Sequence, residues 1–203
     1  MVLNRSTHRL SRRQGCLAAL AFLAGAWVLP LTAQVANAPT PATAKSDEPV
    51  ELQPGDLFPD LAQFPLEGKL PEDLKGRVRV VDFWASWCAP CKDTFPAMEE
   101  LHVRFQKQGL VILAINVDKS RTAMTEFLKD HPVTFTVLRD SRKELVSKLR
   151  LPSLPSTFIL DREGRVHSIC KGFRNAESRR KAVKEIEELL KAPTTAPTPS
   201  ASP

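Results

Sequence analysis

Apolar runs that alternate with amphipathic stretches, then a tight turn and a last helix, predict an α/β domain. Its central mixed β-sheet is flanked by helices. Three observations carry that prediction. Residues 78–85 and 110–117 are continuous apolar runs, as strands buried on both faces require. Phe95, Met98, Leu101 and Phe105 recur at helical spacing, and so do Val183, Ile186, Leu189 and Leu190. Asp161-Arg162-Glu163-Gly164 is a tight turn between two short extended runs, an antiparallel hairpin.

Taken in order, residues 57–66 alternate weakly between prolines and read as an extra N-terminal strand or hairpin at the sheet edge. Pro71-Glu72-Asp73-Leu74 reads as a short turn or helix. Residues 78–85 form the central strand, and 88–108 a helix that Pro96 should kink. Gly109 suits its C-terminal stop. Residues 110–117 make the next strand. A short central helix follows over 121–129, with Met124, Phe127 and Leu128 inward. A strand at 135–138, a helix at 142–149, and hairpin strands at 156–160 and 165–171 complete the sheet. Asn175 caps a final helix that runs to Lys191, and its charges from Arg179 to Glu188 form a solvated face.

The chain has 203 residues, 42% of them hydrophobic, enough for one domain with a real core. Its formal charge is +6, but residues 1–38 hold Arg5, Arg9, Arg12 and Arg13 and no acid. Removing those four leaves 25 basic against 23 acidic residues, which argues against a nucleic-acid partner. The arginines precede an apolar run at 16–31 and a small-x-small end, Ala36-Asn37-Ala38. That is the pattern of a signal peptide cleaved after Ala38. Retained, the same run would be a membrane anchor, though it is short for a span and contains Pro30. Arg12-Arg13 is a twin-arginine pair, but Gly15 stands where that export signal carries an apolar residue. Cys16 precedes the apolar run, whereas a lipidated cysteine would follow it. The reading is therefore a signal or anchor at 1–38, a flexible linker at 39–51, a folded domain at 52–191 and a Pro/Thr-rich tail at 192–203.

Export would leave three cysteines, too few for a disulfide scaffold. Cys88 and Cys91 form a Cys-x-x-Cys pair where the central strand gives way to a helix. Free N–H groups and the positive end of the dipole at a helix start favour a thiolate. A redox dithiol is one reading; a structural staple or half a zinc site are others, although zinc needs two more ligands. His102, His131 and His167 have no metal-ligand spacing, and no cofactor is called for. Cys170 has no partner and reads as a small core hydrophobe. Asp82 is a carboxylate inside an apolar strand. Unless it reaches water, burial raises its pKa towards neutrality. Trp84 reads as packing, and Trp87 as a surface aromatic beside the thiols.

The run Val81-Asp82-Phe83-Trp84-Ala85-Ser86-Trp87-Cys88-Ala89-Pro90-Cys91-Lys92 resembles the active site of the thioredoxin superfamily. Residues 109–118, the segment Pro152-Ser153-Leu154-Pro155-Ser156-Thr157-Phe158-Ile159-Leu160-Asp161, Gly164 and Lys171-Gly172 fall where such domains have their landmarks. With the leader and the inserted segment at 121–129, the chain is most similar to the TlpA/ResA-like thiol-disulfide oxidoreductases, over residues 52–191. The resemblance implies a thioredoxin-like fold. It makes Cys88 the nucleophile that forms a mixed disulfide and Cys91 the thiol that resolves it. First cysteines of such motifs have pKa values of roughly 3.5–7.5. It also implies a cis Leu154–Pro155 bond facing the dithiol, with Trp87, Pro90, Leu154 and Pro155 at the substrate. Thioredoxin carries a buried Asp matching Asp82, which assists deprotonation of the second cysteine; the TlpA/ResA-like group more often has Asn. Cytochrome-maturation members carry Glu where this chain has Thr94. That departure assigns the proton-transfer role to Asp82.

The function expected is an exported, periplasmic or extracytoplasmic reductase of protein disulfides, monomeric. Its partners would be exported protein thiols, apocytochrome c among them, and a membrane thiol-reducing electron donor. Two other readings remain. Peroxiredoxins share the fold but place their cysteine in a Thr-x-x-Cys context absent here. Copper-binding assembly factors use Cys-x-x-x-Cys, one residue longer.

Overall fold

A computed structural model describes residues 48–173 and 175–192. The leader, most of the linker and the C-terminal tail lie outside the described residues. In chain order the elements are β1 (Val78–Trp84), α1 (Ala89–Phe105), β2 (Leu110–Asn116), α2 (Arg121–Asp130), β3 (Thr136–Arg139), α3 (Glu144–Lys148), β4 (Ser156–Leu160), β5 (Val166–Cys170) and α4 (Ala176–Lys191).

The five strands form one sheet in the order β3-β2-β1-β4-β5. β1 pairs parallel with β2, and β2 with β3. β4 pairs antiparallel with both β1 and β5. Each parallel step needs a crossover, and α1 and α2 supply them. β1 is central, so its residues meet neighbours on both edges and helices on both faces. Six of its seven residues are buried, and Asp82 is one of them.

The expected N-terminal strand or hairpin is reduced to two isolated bridges, Leu57 with Arg165 and Glu67 with Arg139. Between them lies a single 3-10 turn, Leu61–Gln63. Pro59 and Pro65 lack the N–H groups a ladder requires, which breaks the pairing. Pro71 to Leu74 adopts no helix. α1 continues through Pro96. The ring withholds the N–H that the Lys92 carbonyl would accept, but Pro96 is exposed, so water can serve that carbonyl. A further 3-10 turn, Gln106–Gln108, ends at Gly109 with φ 108°, a left-handed angle that suits glycine.

α2 is tied to the sheet by aromatic side chains. The Phe127 ring lies 4.7 Å from Trp84 and 5.0 Å from Phe95, while Phe95 lies 5.8 Å from Phe135. One cluster therefore joins β1, α1, α2 and the start of β3. At the other end of the chain, Asn175 and Ser178 form a reciprocal capping box on α4. Phe127→Ala removes the only fully buried side chain of α2. We expect a loss of about 3–5 kcal/mol, read as a lower urea midpoint with the transition still cooperative.

Candidate active site: a dithiol above a buried carboxylate

β1 ends at Trp84, and after three intervening residues the chain enters α1 with Cys88 as N-cap, its backbone extended (φ −83°, ψ 96°). The Cys88 side chain makes no capping hydrogen bond and sits at the positive end of the α1 dipole. Pro90 sits in that first turn, where its missing N–H costs nothing. The Cys91 N–H donates to the Cys88 carbonyl at 3.0 Å, and the two cysteines form a disulfide with Cα atoms 5.3 Å apart. Cys88 is 4% exposed and Cys91 0%. Both cysteines are therefore buried in the disulfide-bonded form, Cys88 at the N-cap with slight exposure and Cys91 in the first turn with none.

The turn before Cys88 is held from β2. The Ser86 N–H donates to both Asp118 carboxylate oxygens, at 3.2 and 3.0 Å. Asn116 orients that carboxylate through its Nδ2, at 2.8 Å, and accepts the Asp118 N–H at 3.1 Å. The Asn116 carbonyl takes the Asp140 N–H, and the buried Asp140 carboxylate accepts the N–H groups of Glu144 and Val146 at the start of α3. Asn116, Asp118 and Asp140 were not singled out from the sequence. The signal available was polar residues placed directly after buried apolar runs, where strands end and loops begin.

Asp82 is fully buried. Side chains alternate along a strand, so it shares the face of Trp84, whose ring contacts Phe95 of α1 at 4.7 Å. Asp82 therefore lies on the face covered by the dithiol helix. The alternative of a strand-end Asp reaching water is overturned. Its Oδ1 accepts the Thr157 hydroxyl at 2.5 Å, and Oδ2 is buried without a partner. Burial pushes its pKa from 3.8 up to about 7, and the Thr157 hydrogen bond opposes that rise.

The Leu154–Pro155 bond is cis. Gly172 (φ 73°) is packed so closely that a Cβ there would lie 2.6 Å from Thr94 Oγ1 and 2.8 Å from Pro155 Cγ. Buried Pro155 thus meets the first turns of α1 through a glycine with no room for a side chain. Trp87, 71% exposed, and Leu154 line one surface depression of about 260 Å³ with Val117, Val146 and Leu151. Cys170 stands opposite Thr157 in the β4–β5 ladder. Burial, and then the nearby Asp82 charge, push its thiol up to about 11. Cys170 has no disulfide partner and is half-buried. Among the described residues, no cluster of three or more His, Cys, Asp or Glu side chains is placed to hold a metal ion.

Residues 54–169 match the model of the AhpC/TSA family. The chain belongs to the AhpC/TSA family. It is 37% identical over 100 residues to the thiol-disulfide oxidoreductase ResA of Bacillus subtilis, a match spanning 49% of this chain and 56% of that protein. It is 31% identical over 143 residues to ResA of Bacillus thuringiensis subsp. konkukian, spanning 70% of this chain and 79% of that protein. The crystal structure of a Chlorobium tepidum protein assigned as thiol:disulfide interchange protein DsbE superposes with TM-score 0.63 at 31% identity, covering 69% of this chain and 99% of that one. The thioredoxin-like fold and the ResA-like likeness read from the sequence both hold. The enzyme class is thiol-disulfide oxidoreductase, and the Cys88–Cys91 disulfide is the redox group that class requires.

The Asp82 shift has a sign for stability. Between pH 3.8 and about 7 the folded protein keeps a proton that the unfolded chain releases, so stability falls as pH rises through that window. At about 1.4 kcal/mol per unit the full cost is on the order of 4 kcal/mol above pH 7. Asp82→Asn should recover up to that amount at pH 8 and almost none below pH 4. Denaturant melts of both proteins across pH 4–8 check it, and a gain equal at both ends would refute the burial account.

Proposed function

We propose that the protein is an exported reductase of protein disulfides. The observation that carries this reading is the asymmetry of the dithiol, with Cys88 at the helix N-cap and slightly exposed, and Cys91 within the first turn and fully sealed. The Cys88 thiolate attacks one sulfur of a substrate disulfide. A Cys88–substrate disulfide forms, the substrate bond breaks, and its other sulfur leaves as a thiolate that takes a proton. Cys91 must then lose its proton before attacking the Cys88 sulfur. That attack re-forms the Cys88–Cys91 disulfide and releases the second substrate thiol. Two electrons and two protons pass to the substrate.

Asp82 is the base for Cys91 in this scheme. It lies on the helix-facing side of β1, and its partnerless Oδ2 can accept a proton. With a pKa near 7 it can take and return that proton near neutral pH. Trp87, Pro90, Leu154 and Pro155 would receive the substrate backbone around the reacting sulfur. The charged leader and apolar run at 16–31 support export or membrane attachment. A membrane thiol-reducing donor would return electrons by the same exchange. Apocytochrome c would be one such exported substrate.

Cys91→Ser should accumulate the mixed disulfide with a cystine-bridged peptide, and Cys88→Ser should form none. A potential for the couple near −270 mV supports a reductase, whereas one near −120 mV would make the protein an oxidant. Resolution of the mixed disulfide should speed up as pH rises through about 7, where Asp82 ionises, and then level off. Asp82→Asn should slow this step about 10²-fold or more and remove the inflection. Thr157→Val deletes the bond that favours the carboxylate and should move the inflection upward. Single-turnover kinetics on all three proteins decide the matter; an unmoved profile in both variants would remove Asp82 from the mechanism.

A further inference from the structure

The surface beside the dithiol carries a charge asymmetry that disulfide exchange itself does not need. The turns after β1, β2, β3 and β5, and the loop entering β4, all open at the sheet edge where Cys88 sits. On them stand exposed Lys92, Lys119, Arg142, Arg150 and Lys171, with half-buried Lys143. The acids on the same turns are mostly engaged. Asp118 and Asp140 are buried and taken up by backbone N–H groups. Glu144 pairs with Arg142 at 3.7 Å. Asp93 and Glu51 are exposed. Outside the leader the chain is close to neutral, so this edge gathers positive charge that the rest of the domain offsets.

The same edge is grooved. The depression floored by Trp87 and Leu154 has Lys143 on its wall. Leu151 also lines a second depression of about 240 Å³ that reaches Pro152, Ile169 and Cys170 and carries Arg150 and Lys171. The two adjoin at Leu151, and together they make a track of apolar lining beside the cis-proline loop that carries Lys143, Arg150 and Lys171 with one acid, Glu51. Lys143 (φ 58°) and Arg150 (φ 44°) are the two non-glycine residues with left-handed backbone among the described residues. They bracket α3, whose Val146 walls the first depression. A left-handed L-residue costs on the order of 1 kcal/mol or more, and such strain gathers where a surface must present particular side chains.

We propose that this track is the docking surface for an acidic, extended polypeptide: a partner segment with a bulky apolar side chain next to its cystine and carboxylates within a few residues of it. The inference rests on the oxidoreductase reading above. Five apolar side chains in a depression of side-chain size fit a polypeptide, and the basic rim supplies steering and register. Lys143 and Lys171 act as specificity residues and take no part in the thiol chemistry.

The test uses two synthetic cystine-bridged peptides, identical except for Glu or Lys at the flanking positions, and one small uncharged disulfide. At about 20 mM salt, where screening is weak, the reduced protein should reduce the acidic peptide about tenfold or more faster than the basic one. The ratio should collapse towards one at about 0.5 M NaCl. In the double variant Lys143→Glu, Lys171→Glu the ratio should invert. Because the ratio is taken within one protein, a fall in overall activity or folding leaves it readable. Equal rates for the two peptides at low salt, or a ratio unchanged in the double variant, would overturn the proposal. So would equal peptide rates together with binding to phosphatidylserine vesicles, which would assign the rim to a membrane surface. If the uncharged disulfide is not reduced either, the oxidoreductase reading has failed, and not the docking surface alone.

Discussion

Everything at this site depends on how one buried strand is turned into one helix. Ala85, Ser86 and Trp87 make that turn, and a single carboxylate holds it, with Asp118 accepting the Ser86 N–H two residues before Cys88. If that turn moved, the cysteines would lose their place at the start of α1, and with it the positive end of the helix dipole. The network is local in space and distant in sequence. It ties the ends of β1, β2 and β3 to one another and then, through Asp140, to α3. Each carboxylate in it is buried but accepts two or more hydrogen bonds, which offsets the cost of burial.

Asp82 is built on the opposite plan. It has one strong partner, Thr157, and one bare oxygen, and it sits in the central strand of the sheet. A domain selected for stability alone would replace it, because apolar neighbours make its charge expensive. In the proposed mechanism that expense is the useful property. Asp118 accepts hydrogen bonds on both carboxylate oxygens, whereas Asp82 leaves one oxygen bare and is pushed up to about 7.

Strands β1, β2 and β4 and helices α1, α2 and α4 were legible because their signals are local: an unbroken apolar run, a helical spacing, an asparagine cap. The dithiol was legible for the same reason, since its two sulfurs and its helix start lie within a few residues. The N-terminal segment misled because weak alternation was read ahead of Pro59 and Pro65, which withhold ladder donors. The Asn116–Asp118–Asp140 network stayed hidden, because its partners are brought together only by sheet topology. Thr157 is the clearest such case. Nothing in its own neighbourhood marks it, yet the β1–β4 register sets it directly across from Asp82.

That register also accounts for why only one of the domain's cysteines is set up as a nucleophile. Cys170 stands opposite Thr157, and Thr157 opposite Asp82, so the three lie in one row across β5, β4 and β1. Apolar surroundings and the neighbouring carboxylate both penalise a thiolate there, and the thiol is pushed up to about 11. Cys88 meets the reverse conditions, a helix N-terminus and no carboxylate hydrogen-bonded to it. Cys91 lies between these extremes, sealed from solvent on the helix above the Asp82 face. In the proposed mechanism the fold separates Cys88, Cys91 and Cys170 into an attacking sulfur at the helix N-cap, a sealed one that needs a base, and an inert one. The Asp82 carboxylate that suits it to serve the second also silences the third.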